Sequence, residues 1–493
     1  MPNISIKEIN RTSAGTPSEY GNIAVLITGL KGTPSDKTDA KIIDPDSNGV
    51  YEFDSAQGFK DTIGLVEGEH FGNKMAYELL NLGYPVVYKP FTTVSELNNE
   101  AFWEIFKDKA NYDFRFISHG LLAADTDADK TLAEYKARLL VIEEELKDEN
   151  LENFDTLKGT LREDKTVWYT NPLAGDGDYY ESAEDAANSL NIELATVNAN
   201  ITKVNTEELT TEAFNSINGQ IAKLASYIVD TSNGRGDCIA LIELSEKEYI
   251  AKTKPELAII EGIKNMSANI GADGKYCAMT VPSVYYKKSG GTYKMPGAFH
   301  YLACFMSSLK AGFAEWYAAA GYTRGVSSYV IDHTSVRLGE IAIAALEPRY
   351  SATLPFACNV IANFRGSYYL WGNRTAAPLG KTEKDDLTAD HFLNIRQLCS
   401  TIKKQLYVSC RRFTFDPNSD TLWYNFTGSI VPTLERMKAD QGIRDYKIIK
   451  VYTDKKATLK AKIRIIPIEA VEDFDIEISL EDSFGETSVV ANG

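Results

Sequence analysis

The spacing of apolar residues predicts an α/β fold. The apolar run Ile23 to Thr28 ends at Gly29, as a buried strand does. Phe71, Met75, Leu79 and Leu82 then fall on one helical face, with Gly83 as the stop. Pro85 to Tyr88 and Phe114 to Ile117 are two further short strands, the second closed by Gly120. Strand, helix, strand at these intervals argues for an α/β core.

The alternation breaks near residue 121. Leu132, Tyr135, Leu139, Ile142 and Leu146 mark an amphipathic helix that runs into the acids Glu143 to Glu145, Asp148, Glu149 and Glu152. Gly175 to Asp178 is a loop, and 202–211 is polar and rich in Thr and Glu. Residues 121–212 read as a solvent-facing insertion. The alternation resumes with a helix near 214–229, then strands at Cys238 to Ile242 and Cys277 to Val281. Leu302, Phe305, Leu309, Phe313 and Trp316 predict a long apolar helix face entered after Pro296. Ala357 to Ile361 and Ser367 to Trp371 read as a hairpin. Phe392, Ile395, Cys399, Ile402 and Leu406 form a helix stripe, and Phe413 to Phe415 a strand. The next helix carries Trp423, Phe426, Ile430, Leu434 and Met437, and Pro432 inside it predicts a kink or a break. Strands at 446–453, 458–466 and 473–480 close the chain. A short strand, Ile4-Ser5-Ile6, opens it on a polar tether, Arg11 to Glu19.

Composition narrows the function. At 493 residues with 25% charged and 44% hydrophobic residues, the chain is globular and large enough for a core without staples. Its net charge of −17 disfavours nucleic acid and anionic lipid as partners. No stretch approaches the about 20 apolar residues of a membrane helix, and no signal peptide is readable at Met1 to Asn10. The six cysteines form no CxxC pair and read as reduced core residues.

Catalytic and metal patterns fail on inspection. Asp44 to Gly49 matches the first half of a calcium loop, but position twelve is Ser55, so the string reads as a tight turn. Asp125, Asp127 and Asp129 make a weaker match, lacking the glycine and the final Glu. The five histidines are scattered, and Asp332-His333 are strand neighbours that point apart. Arg235-Gly236-Asp237 reads as loop punctuation rather than an adhesion motif, and the 27 tyrosines as core or interface rather than a sugar site. No catalytic residue, cofactor or metal is assigned.

Charge separation at the C-terminus is the remaining feature. Between Arg444 and Arg464 there are eight basic and two acidic residues; after Arg464 there are eight acids and no Lys or Arg. At 459–465, Lys460, Lys462 and Arg464 alternate with Leu459, Ala461, Ile463 and Ile465. At 474–480, Asp475 and Glu477 alternate with Phe474, Ile476, Ile478 and Leu480. The two strands match in period and charge. They suit either a local hairpin or a strand supplied to another copy of the chain.

The closing segments resemble the tail sheath proteins of contractile phage tails and related injection systems. His391 to Arg396, Phe413 to Pro417, Leu422-Trp423 and the closing strands follow that family's C-terminal domain in order. Tyr369 to Thr375 resembles its Trp-Gly-x-Arg-Thr segment, and Met295 to His300 and Gly321 to Gly325 the stretch before it. Ile4 to Pro34 resembles its N-terminal strand, linker and first core strand. The resemblance covers 1–120 and about 214–490 and leaves 121–212 unmatched.

It implies a sheath-type α/β core with a mixed sheet, a C-terminal α+β domain with exchanged terminal strands, and an inserted outer domain. The expected division is an N-terminal arm (1–20), core (21–120 and 213–380), surface insertion (121–212), C-terminal sheath domain (381–470) and C-terminal arm (471–493). The implied role is structural and non-enzymatic: subunits polymerise around a tail tube and contract to drive it through an envelope. The implied partners are further copies, the tube protein, and baseplate and neck proteins, in a virion tail assembled in the host cytoplasm. Ile4 and Ile6, Lys460, Lys462 and Arg464, and Phe474, Asp475, Ile476, Glu477, Ile478 and Leu480 are the expected strand-exchange residues. The alternatives are a subtilisin-like α/β hydrolase and a host-binding virion protein acting through 121–212.

Overall fold

The computed structural model describes residues 23–36, 40–67, 70–124, 126–162, 167–170, 179–226, 234–385, 387–452, 458–468 and 470. The strands are β1 (Val25–Leu30), β2 (Tyr51–Phe53), β3 (Val86–Phe91), β4 (Phe116–Ser118), β5 (Ile239–Ile242), β6 (Cys277–Val281), β7 (Val284–Lys288), β8 (Gly291–Met295), β9 (Ile331–Thr334), β10 (Asn359–Phe364), β11 (Ser367–Trp371), β12 (Ile443–Val451) and β13 (Lys460–Pro467). The long helices are α1 (Phe71–Leu82), α2 (Thr126–Glu145), α3 (Ala183–Glu207), α4 (Thr211–Ala225), α5 (Pro255–Ile270), α6 (Gly297–Lys310), α7 (Leu393–Arg412) and α8 (Asp420–Ala439).

An eight-stranded mixed sheet forms the core, in the order β11-β10-β6-β5-β4-β1-β3-β2. The six inner strands are parallel, and β11 and β2 are antiparallel edges. Inner strands are buried on both faces, which is why β1 and β5 read as continuous apolar runs. One face packs Leu26, Ile117, Ala240 and Met279 against Ile217 and Ile221 of α4 and Ile259 and Ile263 of α5. The other packs Val25, Ile27, Phe116 and Leu241 against Met75 and Leu79 of α1 and Leu302 and Phe305 of α6. The core is therefore a doubly wound α/β sheet. A small sheet, β8-β7-β9, lies beside it.

Between β4 and β5, helices α2 and α3 and the segment that joins them carry a separate apolar cluster built on Ile142, Phe154, Tyr169, Tyr180 and Leu190. A two-point ion pair, Arg138 to Glu193 at 2.7 Å for both contacts, fastens the two helices across their seam. The polar stretch after 202 continues as helix to Glu207, because α3 needs only a narrow apolar stripe to pack on α2.

Three local expectations differ from the structure. The apolar helix ends at Lys310, so Phe313 and Trp316 lie beyond it, and Trp316 packs with α7 and α8 instead. Pro432 does not split α8, which runs unbroken from Asp420 to Ala439. The carbonyl that proline leaves without a helical donor belongs to Gly428, and both residues are solvent-exposed, so no buried group is orphaned. Phe413 to Phe415 is a turn rather than a strand. Phe413 and Thr414 donate back to the carbonyls of Cys410 and Arg411, and Phe415 takes a left-handed φ of 77°. Among the described residues no helix is long and apolar enough to cross a membrane.

Candidate assembly interface

The C-terminal unit is built on α7 and α8. Leu398 and Ile402 from α7, Phe426, Ile430, Leu434 and Met437 from α8, and Trp316 form its apolar centre. Against this centre lies the antiparallel ribbon β12–β13, with Tyr446 paired to Ile465, Ile448 to Ile463 and Lys450 to Ala461. Their apolar side chains face α8 and are half-buried. A two-stranded ribbon is marginal alone in water. Burying an isoleucine fully contributes about 1.5–3 kcal/mol, so the contact with α8 is what holds this one.

The other face of the ribbon is cationic. Lys460, Lys462 and Arg464 alternate outward along β13 and are all exposed. Lys447, also exposed, stands directly across from Arg464. Like charges set opposite one another oppose pairing. Among the described residues, no carboxylate lies within ion-pair distance of these four cations. The outer edge of β13 has no strand beside it among the described residues. Among the described residues the ribbon thus offers an open backbone edge and a cationic face. The structure places three of the expected strand-exchange residues together here; Ile4, Ile6, Phe474, Asp475, Ile476, Glu477, Ile478 and Leu480 lie outside the described residues.

A buried polar seam that the sequence did not disclose joins the C-terminal unit to the core. Arg115, beside β4, contacts Glu315 at 2.7 Å, and both side chains are almost wholly buried (0% and 2% exposed). Thr401 of α7 donates to Glu315 at 2.8 Å and accepts from Arg115 at 2.8 Å. One turn further on, Lys404 reaches Asp113, the Phe114 carbonyl at 2.9 Å and Asp237 at 3.8 Å. Burial raises the Asp237 carboxyl, but Arg235, Lys404 and Lys109 outweigh it and hold it below its ordinary value. Residues 115 and 315 are 200 apart in sequence, so no local pattern announces their pairing.

The position at which doubly wound sheets take ligands is filled. It lies beyond the carboxyl ends of β1 and β4, where the strand order reverses. There Gly29, Gly72 and Gly120 bring three backbones together, and a Cβ on Gly72 or Gly120 would collide with the Thr28 carbonyl. Behind them His119 accepts from the Leu121 amide at 3.0 Å on Nδ1, so Nε2 carries the proton and donates to Asn218 at 3.1 Å. Burial lowers the His119 pKa to about 4, keeping the ring neutral. Asn218 also donates to the Glu243 carbonyl at 2.9 Å, and the Glu243 carboxyl accepts from the Ala298 amide at the start of α6 at 2.7 Å. This chain of bonds ties β4, α4, β5 and α6 together.

The remaining candidates resolve as local structure. Asp46 accepts from the amides of Asn48 and Val50 at 2.8 and 2.9 Å and from the Tyr112 hydroxyl, while Lys89 donates to the Asn48 carbonyl at 3.1 Å. The loop is a closed turn with an ammonium on its rim. Asp129 caps α4 at Thr211 at 2.8 Å. Arg235 is 1% exposed, donating to the Phe106 and Tyr112 carbonyls at 2.8 Å, so the Arg-Gly-Asp string faces inward. Asp332 and His333 do not point apart as expected: both are exposed on β9 and bond each other at 2.9 Å, and His333 stacks on Tyr285, which leaves the pair a local surface contact.

No protein-family model and no curated relative matches the chain by sequence. Solved structures do match it in shape. A chain of the anti-feeding prophage baseplate is 12% identical, with a TM-score of 0.55 over 98% of this chain and 99% of that one. A chain of the sheath complex of an extracellular contractile injection system, in its contracted state, is 12% identical, with a TM-score of 0.51 over 98% of each chain. At that identity the likeness is one of fold, which this chain shares with those chains of a prophage baseplate and a contractile sheath complex.

Proposed function

We propose that this chain is a structural subunit of a contractile tail sheath. Copies polymerise around a tail tube by exchanging terminal strands, and the assembly contracts to drive the tube through a cell envelope. Its partners are further copies of itself, the tube protein, and baseplate and neck proteins. The observation that carries the reading is the β12–β13 ribbon, with its open edge and its four cations lacking anionic partners among the described residues. A strand added to that edge gains main-chain hydrogen bonds, and its side-chain alternation sets the register. The sequence has a strand-like alternation at 473–480, bearing Asp475 and Glu477. An exposed ion pair is worth about 0–1 kcal/mol, so the charges select partner and register rather than hold the assembly. A contact in which one copy donates and the next receives is heterologous and grows into rings or open helices. The filled crevice at the sheet's switch point further favours a structural role over a catalytic one. In the same reading the helices α2 and α3 belong to an outer insertion, since they carry their own apolar cluster.

Charge reversal tests the reading. Changing Lys460, Lys462 and Arg464 to Glu should reduce tube formation, and adding Asp475→Lys and Glu477→Lys in the same chain should restore part of it. Unaltered assembly of the triple variant would remove the electrostatic basis of register.

A further inference from the structure

The turn between α7 and α8 presents an exposed aromatic side chain. Phe415 is 100% exposed there, on a backbone fixed at φ 77° by the bonds that close the turn. At full exposure the ring has no packing role among the described residues of its own chain. Its neighbour Asp416 is exposed and has no cation within ion-pair distance among the described residues. Arg412, on the other side of the turn, is likewise exposed and unpaired among them.

At the far edge of the core sheet lies an open groove of about 950 Å³. Its lining is mixed: Ile341 and Tyr322, 82% and 62% exposed, line it with Phe364 and Tyr369 beside charged residues. Tyr322 meets Tyr369 edge-on at 4.9 Å, so the aromatic wall is held in place. Arg337 and Arg365 stand on the rim with Glu256 and Glu340. Arg365 is fixed by the β10–β11 turn, at φ 52°. Among the described residues neither arginine is paired with a carboxylate.

We propose that this groove receives the Arg412-to-Asp416 turn of a second copy of the chain. Phe415 meets the aromatic side chains, Asp416 meets Arg365 and Arg337, and Arg412 meets Glu256 and Glu340. The complementarity is of sign: an aromatic knob flanked by one anion and one cation enters a groove with aromatic side chains and charges of both signs in its lining. Knob and groove are different surfaces of one chain, so the contact is heterologous and propagates. It rests on the assembly reading above, and adds to strand exchange a side-chain contact between the C-terminal unit of one copy and the core of another.

The test uses the full chain carrying Cys410→Ser, which removes the exposed native thiol near the turn. Phe415→Cys and Ile341→Cys are made separately, mixed under assembly conditions and mildly oxidised. The contact requires a disulfide-linked dimer joining one variant to the other, in excess over either homodimer. In parallel, Asp416→Arg should lower tube yield about tenfold, and Arg365→Asp in the same chain should recover it. If the parent chain forms tubes but no mixed dimer appears, or if Arg365→Asp rescues nothing, the contact is wrong while assembly stands. If the parent chain forms no tubes, the assembly reading falls and this contact with it.

Discussion

Removing the Glu315 carboxylate should weaken the join between the core and the C-terminal unit. In Glu315→Ala, the Arg115 guanidinium stays buried without the partner it now contacts at 2.7 Å. Breaking a buried pair in this way costs about 3–5 kcal/mol. The Thr401 hydroxyl also loses its acceptor, which adds about 1 kcal/mol. Against a typical total stability of about 5–15 kcal/mol the loss is large. The assay is denaturant unfolding of the unassembled chain, followed by tryptophan fluorescence, because Trp316 lies at this join and donates to the Asp440 carbonyl at 3.1 Å. The midpoint should fall with the slope unchanged. Replacing both partners, Arg115→Met with Glu315→Leu, should recover most of the loss, because no buried charge is then left alone. A single variant that loses less than about 1 kcal/mol would refute the reasoning, since the pair would then be dispensable.

Two further predictions concern sites that look chemical but behave as structure. Calcium or a chelator should leave the melting temperature unchanged, because the Asp46 oxygens already close the Asp44–Gly49 turn; a rise of several degrees with calcium would show a site that binds it. Burial raises the Glu243 carboxyl from its ordinary 4.5 to about 8. Across that window the folded chain holds a proton that the unfolded chain releases, so stability falls as pH rises through it. Glu243→Gln keeps an acceptor for the Ala298 amide and should flatten that fall, seen as a smaller drop in melting temperature between pH 5 and pH 8. Equal slopes in the two proteins would rule out Glu243 as the cause.

Much of the core was legible because its signals are local. β1 and β5 announce themselves as apolar runs, and α1 by the spacing of Met75, Leu79 and Leu82. The outward alternation of Lys460, Lys462 and Arg464 was readable for the same reason, since strand period alone fixes it. Long-range features were not. The Arg115–Glu315 pair and the His119–Asn218–Glu243 chain join residues far apart in sequence, and no periodicity marks them. Phe413-Thr414-Phe415 misled because three alternating residues fit a strand as well as a turn, and only the helices on either side decide it. Pro432 misled because the cost of proline depends on whether the orphaned carbonyl is buried, and here it is exposed.

Electron microscopy of terminal truncations tests strand exchange most directly. Purified full-length protein should form tubes. Removing residues 1–10 together with everything after Ala470 should leave folded subunits, with an unchanged circular dichroism spectrum, that stay dispersed. Tubes of normal length from the doubly truncated chain would contradict the account, because they would assemble without the strands it requires.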